Sequence, residues 1–281
     1  MTQKKQIYGS LILNSLKWFV LVFFLVVALL PLAWLLINSF RTNIELQISS
    51  FGWPKVWQFS NYVKALEMAS LPRLFVNSVL ASGFAVMLNL GISSLAGFIF
   101  SRENFKGRDL LYTIITAGVL IPIIAFMVPY FSLVTKLKLY NSLTSLVLVY
   151  SAVNIPVSIF LVTSFMKSIP KELEEAAIID GCTFTQRFTK VIFPMAQSGL
   201  VTAGTFCFIY SWNDFIMAML LTSSIETRTI QLGIKFFTSQ FITDYTTMFA
   251  AIVMTIIPSI AIYIFLHNKI ISGLTAGAVK G

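Results

Sequence analysis

The amino-acid sequence predicts an all-α integral membrane protein with six transmembrane helices. Of its 281 residues, 57% are hydrophobic and only 11% charged, against about 25% charged in an ordinary soluble domain. A soluble fold cannot hide that much apolar surface, whereas a bilayer accepts it. Six mostly apolar runs recur along the chain, each near the ~20 residues that cover a hydrocarbon core. Short clusters of Lys and Arg lie between these runs, as they do in the cytoplasmic loops of membrane proteins.

The runs span residues 18–40, 75–100, 110–134, 142–166, 196–221 and 249–267. They imply a single transmembrane domain over 1–281. The first follows Lys4, Lys5 and Lys17 and so resembles a secretory signal. Its apolar stretch is much longer than the ~7–15 residues of a signal core, and no small-x-small cleavage site follows. It reads as an uncleaved first helix. With the N-terminus inside, segments 1–17, 101–109, 167–195 and 268–281 are cytoplasmic and hold Lys4, Lys5, Lys17, Arg102, Lys106, Arg108, Lys167, Lys171, Arg187, Lys190, Lys269 and Lys280. The outer segments hold the smaller set, in which Lys136 and Lys138 fit the bias least. Both termini are then expected in the cytoplasm.

The net charge of +9 reflects this topology. No basic stripe interleaved with exposed aromatics appears, so nucleic acid is not an expected partner. Cys182 falls in a cytoplasmic loop and Cys207 inside a helix, and they form no disulfide framework.

Pro31, Pro122, Pro129, Pro156 and Pro258 lie within the runs. Each removes an N–H, which neighbouring helices can compensate in a membrane. Ser93 with Gly97, and Gly199 with Ala203, place small residues four apart, where helix backbones can approach closely. The first outer loop, roughly 41–74, carries Trp53, Trp57, Phe59 and Tyr62, residue types that favour the lipid–water interface. Ser60 is placed to cap a short helix there.

The most informative connection is 168–194. Ser168 is a candidate N-cap, and Pro170 suits a first helical turn. Glu172, Glu174 and Glu175 follow near the positive end of the helix dipole. Leu173, Ala176 and Ala177 share a face of little bulk, and Gly181 suits the left-handed position that ends a helix. Thr183 with Gln186 forms a capping box for a second helix, on which Phe184, Phe188 and Val191 share a face. The segment is therefore expected to be a cytoplasmic hairpin with an apolar knob and an acidic rim.

Glu175-Ala176-Ala177, then Gly181, then Val191-x-Phe193-Pro194 resembles the EAA loop of binding-protein-dependent ABC importer permeases, with Val191 and Phe193 as conservative departures. Asn61-Tyr62, the stretch from Phe100 to Arg108, Pro129-Tyr130, the stretch from Leu139 to Ser142, the stretch from Trp212 to Phe215 and the terminal stretch from Gly273 to Gly281 resemble the carbohydrate, maltose-transporter-type branch. The resemblance covers roughly 60–281. It implies a type I ABC importer permease fold in which this hairpin couples to a separate ATPase. The matching coupling residues are Glu175, Ala176, Ala177, Asp180, Gly181, Phe184 and Pro194. It further implies a homologous second permease, two ATP-binding subunits that use ATP and Mg, and an extracellular or periplasmic sugar-binding protein, with no cofactor bound by this chain. No G-x4-G-K-[ST] occurs in the sequence, so a P-loop is absent here.

Asp214 is the one acidic residue inside the six runs, and intramembrane ionisable groups are functional candidates by default. Trp212 and Asn213 add an aromatic face and an amide beside it, and Asn154, Tyr150 and Tyr130 lie on other runs. These six are the candidate substrate-pathway residues. The alternative is that Asp214 and Asn213 tie helices or subunits together. An ion-driven transporter is disfavoured by the lack of a visible internal repeat. An intramembrane enzyme is disfavoured by the lack of H-E-x-x-H or G-x-S-x-G motifs and by the single His267. No metal site is expected.

Overall fold

A chain in lipid must satisfy its own backbone hydrogen bonds, and this one does so with helices. The computed structural model describes residues 2–68, 70–233 and 244–278. Lys235, Lys280 and Gly281 lie outside them. The helices are α1 (Thr2–Ser39), α2 (Asn43–Ile48), α3 (Ser60–Met68), α4 (Leu71–Arg102), α5 (Arg108–Ala117), α6 (Met127–Lys136), α7 (Leu143–Ser168), α8 (Glu172–Ile179), α9 (Phe184–Gln186), α10 (Phe193–Met195), α11 (Gln197–Asn213), α12 (Ile216–Leu221) and α13 (Tyr245–Ala278). Among the described residues, four stretches are long and apolar enough to cross a membrane: Leu13–Ser39, Leu71–Arg102, Leu143–Ser168 and Tyr245–His267. Two bent pairs bring the number to as many as six.

The chain divides into two compact units. The first joins Met1–Ala69 with Phe237–Met254. Within it, the most apolar window of α1 has no buried residue, leaving that face to lipid or another subunit. Beyond Ser39 the chain is fastened by polar contacts. Asn61 Nδ2 donates to the Ser39 and Arg41 carbonyls at 2.9 and 2.8 Å, and Asn43 Nδ2 donates to Asp244 Oδ1 at 2.8 Å. Thr42 and Glu45 form a capping box on α2. Hydrogen bonds from the Thr42 amide and then the Lys55 amide hold the Glu45 carboxyl below its ordinary pKa.

The second unit joins Ser70–Phe236 with Thr255–Gly281. Its core is α4, α7 and α11. Asn89 Nδ2 donates to the Ser151 carbonyl at 3.0 Å, and Arg102 reaches the Met166 carbonyl, so α4 and α7 run parallel. The small residues set the packing distance. A Cβ at Gly97 would stand 2.7 Å from Val162 Cγ1, and one at Gly199 would stand 2.6 Å from Phe165 Cβ. No larger residue fits at either crossing without displacing a neighbour.

At one end of this unit lies the loop after α12. Asn77 Nδ2 donates to the Glu226 and Arg228 carbonyls, both at 2.9 Å, and the Ile230 amide donates to Ser78 Oγ at 2.8 Å. Asn141 Oδ1 accepts from the Ser223 and Ser224 amides at 2.9 and 3.0 Å, and from Thr227 Oγ1 at 2.6 Å. Asn141 sits at φ 58°, a left-handed conformation that Asn tolerates better than most residues. At the opposite end lie the 103–107 turn and the 168–194 segment.

Two expected runs are not continuous helices. The run expected at 110–134 is bent by 101° between Arg108–Leu120 and Ile123–Lys136. Pro122 explains the break: it supplies no N–H, and it drives Ile121 into an extended conformation with ψ 121°. The run expected at 196–221 breaks after Asn213. Asp214 is extended at ψ 131° because its carboxylate accepts from the Met217 and Ala218 amides at 3.3 and 3.0 Å, capping α12 instead of continuing α11.

Candidate functional site

The 168–194 segment forms a hairpin by rules that act over a few residues. α7 continues through Ser168, whose Oγ donates to the Phe165 carbonyl at 2.7 Å. Ser168 is therefore not the N-cap of the next helix, and Pro170 precedes that helix instead of lying in its first turn. Ile169, immediately before the proline, is extended at ψ 130°, as the proline ring requires. α8 then begins with three glutamates in its first turn.

α8 ends where Gly181 takes φ 79°. The Cys182 amide donates to the Ala177 carbonyl at 2.9 Å and the Gly181 amide to the Ile178 carbonyl at 3.0 Å, the two bonds of a Schellman turn. Thr183 and Gln186 close their capping box at once, with the Thr183 amide 2.8 Å from Gln186 Oε1. The second limb is not a plain α-helix. Arg187–Ile192 is a π-helical turn, with the Phe193 amide bonded to the Phe188 carbonyl. Pro194 accounts for it, since it cannot donate to the carbonyl four residues earlier. The wider turn buries both Phe188 and Ile192 against Phe98, Val162 and Met166.

The outward face is apolar, with Leu173, Ile178, Ile179 and Phe184 all exposed, Ile179 at 86%. Phe184 also rests edge-on against Phe98 at 5.2 Å between centroids. Glu172, Glu175 and Asp180 are exposed around this face, and Ala176 leaves it shallow. Two expected members are turned inward. Ala177 is buried, and Glu174, placed on the acidic rim from sequence, is 6% exposed. Its Oε1 lies 2.6 Å from Arg187 Nη1, and its Oε2 lies 3.5 Å from Arg102 Nε. Arg187 also meets Glu103 at 3.2 Å. The coupling residues matched from sequence include none of Arg102, Glu103, Glu174 and Arg187; the sequence marks Arg102 and Arg187 only as cytoplasmic charges and Glu174 only as part of the acidic rim. The pairing of Arg102 with Glu174 spans too many residues for any local signal to reveal it.

The pathway candidates divide. Tyr150 is fully buried, and its hydroxyl donates to Asp214 Oδ2 at 2.9 Å. Tyr130 packs against the same cluster, as does Tyr210, whose ring meets that of Tyr150 edge-on at 6.3 Å. Tyr210 is the member that sequence reasoning missed. Tyr130 also lines a cavity of about 200 Å³ beside the Pro122 break, with Gly118, Phe126 and Pro156. Asn213 is exposed and bonds Gln231 Nε2 at 3.3 Å. Trp212 is buried, donates to the Thr255 carbonyl at 3.1 Å and stacks on Phe208. Asn154 is buried and donates to the Tyr150 carbonyl of its own helix at 2.9 Å. Among the described residues, no group of three His, Cys, Asp or Glu side chains is placed to hold a metal ion.

Residues 89–271 match the family described as the binding-protein-dependent transport system inner membrane component. The chain is 39% identical, over 97% of its own length and all of the relative's, to a protein of Caldicellulosiruptor sp. described as an ABC transporter permease, ORF2. It is 34% identical to the sulfoquinovosyl glycerol transport system permease SmoH of Agrobacterium fabrum, covering 92% of this chain and 90% of the relative. A chain in the crystal structure of a bacterial ABC transporter involved in the import of the acidic polysaccharide alginate superposes with a TM-score of 0.78 at 25% identity. That match covers 92% of this chain and 96% of the other. The chain belongs to the family of binding-protein-dependent transport system inner membrane components, and it is the non-catalytic, multi-pass permease subunit of an ABC transporter.

Proposed function

We propose that this chain carries a sugar or oligosaccharide across the cytoplasmic membrane by alternating access. It does so together with a homologous second permease, two ATP-binding subunits that consume ATP and Mg, and a sugar-binding protein outside the membrane. The observation that carries this reading is the 168–194 hairpin. Its outward face of Leu173, Ile178, Ile179 and Phe184 is apolar and uncovered, its turn is fixed by Gly181, and its inner face is ion-paired to Arg102 and Glu103 at the end of α4, where Arg102 in turn bonds the end of α7. Such a face fits the cleft of a separate subunit, and Glu175, Ala176, Asp180 and Phe184 meet that subunit in this reading, while the buried Ala177 and the Pro194 that follows the π-helical turn shape the hairpin.

The hairpin end is cytoplasmic, and both termini are on that side. Arg102, Lys106, Arg108, Lys167, Lys171 and Lys190 lie on the segments gathered at this end, in support of that orientation. The substrate route passes Tyr130, Tyr150 and Asp214, with Tyr210 beside them and Asn213 at its exposed edge. Aromatic faces and a carboxylate suit a polyhydroxylated ligand. Trp212 and Asn154, whose side-chain N–H groups donate to backbone carbonyls, act as ties that hold the route's walls. The transport of a sulfoquinovosyl glycerol and of alginate by similar systems supports a carbohydrate substrate.

The test is purification with and without the partners. The chain alone hydrolyses no ATP. The complete complex in proteoliposomes takes up at least one member of a radiolabelled sugar panel when ATP and the binding protein are supplied. Uptake that needs an ion gradient and no ATP contradicts the proposal.

A further inference from the structure

The hairpin leaves α7 through Ile169 and Pro170, an extended link held by one terminal bond, from the Ile169 amide to the Met166 carbonyl, since Pro170 has no N–H to donate. Phe188 and Ile192 pack the second limb against α4 and α7, but a push on the exposed face of α8 would still dissipate at this link as rotation unless the first limb were joined to the spans as well. Four charged side chains join it. Arg102, in the last turn of α4, donates through Nη2 to the Met166 and Ile169 carbonyls at 2.7 and 2.8 Å. These carbonyls belong to the end of α7, where backbone acceptors are left over and the helix dipole favours a cation. The same guanidinium lies 3.5 Å from Glu174 on α8, an ion pair longer than a good hydrogen bond. Glu174 joins Arg187 of the second limb at 2.6 Å, and Arg187 returns to Glu103, next in sequence to Arg102, at 3.2 Å. The circuit is closed and its net charge is zero. Side-chain exposure is 2% for Arg102, 8% for Glu174 and 17% for Arg187. Screening by solvent and salt is therefore weak.

We propose that Arg102, Glu103, Glu174 and Arg187 are positioning residues for coupling: they lock both limbs of the hairpin to the cytoplasmic ends of α4 and α7, so that movement imposed on the hairpin turns those two spans as one body. The proposal rests on the hairpin's being the place where the ATP-binding subunit docks. None of the four belongs to the outward face, so docking and transmission are separable. Glu174 is the centre of the circuit, since its loss leaves the buried Arg102 and the partly buried Arg187 short of a counter-charge.

The test compares Glu174→Gln, Glu174→Asp and Glu103→Gln in the complete reconstituted complex, reading three quantities: co-purification of the ATP-binding subunit, ATP hydrolysis, and sugar uptake. Glu174→Gln is expected to retain the ATP-binding subunit and ATP hydrolysis while the sugar imported per ATP falls about 10-fold. Glu174→Asp is expected to restore most of the ratio. Glu103, 36% exposed in its side chain, is the member whose loss threatens folding least, and Glu103→Gln is expected to lower the ratio by a smaller factor. That variant decides the matter if Glu174→Gln fails to assemble. An unchanged ratio in Glu103→Gln and in any assembled Glu174→Gln overturns the proposal. So does loss of the ATP-binding subunit from an otherwise intact Glu174→Gln membrane complex, because the residue then acts in docking. Failure of the function proposed above would appear differently, as a wild-type complex that imports no sugar with ATP.

Discussion

The Cys182 amide and the Ala177 carbonyl are 2.9 Å apart across the turn that ends α8, and Gly181 at φ 79° makes that bond possible. A side chain there costs about 1 kcal/mol or more, since the left-handed region crowds a Cβ against the backbone. No neighbouring atom lies within 4 Å of a Cβ built at Gly181, so the cost of Gly181→Ala is conformational alone. Gly181→Asp adds a carboxylate beside Asp180 on the docking face. Both variants are expected to insert normally. Gly181→Asp should lose co-purification of the ATP-binding subunit and sugar uptake, and Gly181→Ala should show a partial loss. Membrane abundance, co-purification and uptake measured together separate these effects.

Asp214 has two jobs in the structure, capping α12 and accepting from Tyr150. Losing a cap of this kind costs about 0.5–2 kcal/mol. Asp214→Asn keeps an acceptor oxygen for the cap and removes the charge. It is expected to assemble but to import sugar slowly or with altered preference. Asp214→Ala is expected to reduce assembled complex as well. Tyr150→Phe, which removes only the hydroxyl, should resemble Asp214→Asn. Equal uptake by wild type and Asp214→Asn would remove Asp214 from the route and leave it a tie between helices.

Close packing at Gly199 yields a prediction about folding. A Cβ there would stand 2.6 Å from Phe165 Cβ and Cγ, and overpacking of this kind costs about 1–3 kcal/mol. Gly199→Leu is expected to lower the thermal midpoint and membrane abundance. Gly91→Ala, with open space around the new methyl, is expected to leave both unchanged or slightly raised, as Ala is the better helix former. Thermal unfolding of the detergent-solubilised complex checks the pair.

Ser223 is exposed at the end of the second unit where Asn141 anchors the loop, and Gly107 is exposed at the opposite end. Ser223→Cys is therefore expected to crosslink to the binding protein and Gly107→Cys is not. Thr238, a second outer position suited to the same experiment from sequence, lies outside the described residues. The reverse pattern would invert the topology.

What the sequence reveals of this molecule follows the range of each interaction. Helices about 20 residues long announce themselves by hydropathy, so 142–166 and Leu143–Ser168 nearly coincide. The Gly181 turn and the Thr183–Gln186 box are equally legible, because each is decided within six residues. The breaks at Pro122 and Asp214 are hidden by averaging: Ile121, Ile123 and Phe215 keep the hydropathy high while the backbone turns. A proline inside a run does not by itself announce a break, since α7 runs straight through Pro156. The inward turn of Glu174 is illegible for the opposite reason. It depends on Arg102 and Arg187 arriving from other elements, and no periodicity in α8 distinguishes it from Glu175. Tyr210 is missed similarly, since only the packing of α11 against α7 brings it to Tyr150.

The most direct test of the hairpin's role uses Ile179, the most exposed of the large apolar residues of α8. The native Cys182, which is partly exposed, is first changed to Ser. Ile179→Cys in that background is then treated with a short bifunctional thiol reagent in membranes containing the whole complex. Crosslinking to the ATP-binding subunit, with loss of sugar uptake once the link has formed, is the result expected if ATP-driven movement enters this chain through the hairpin. Crosslinking to the external binding protein, or no crosslink to the ATP-binding subunit while uptake proceeds at the wild-type rate, would contradict it.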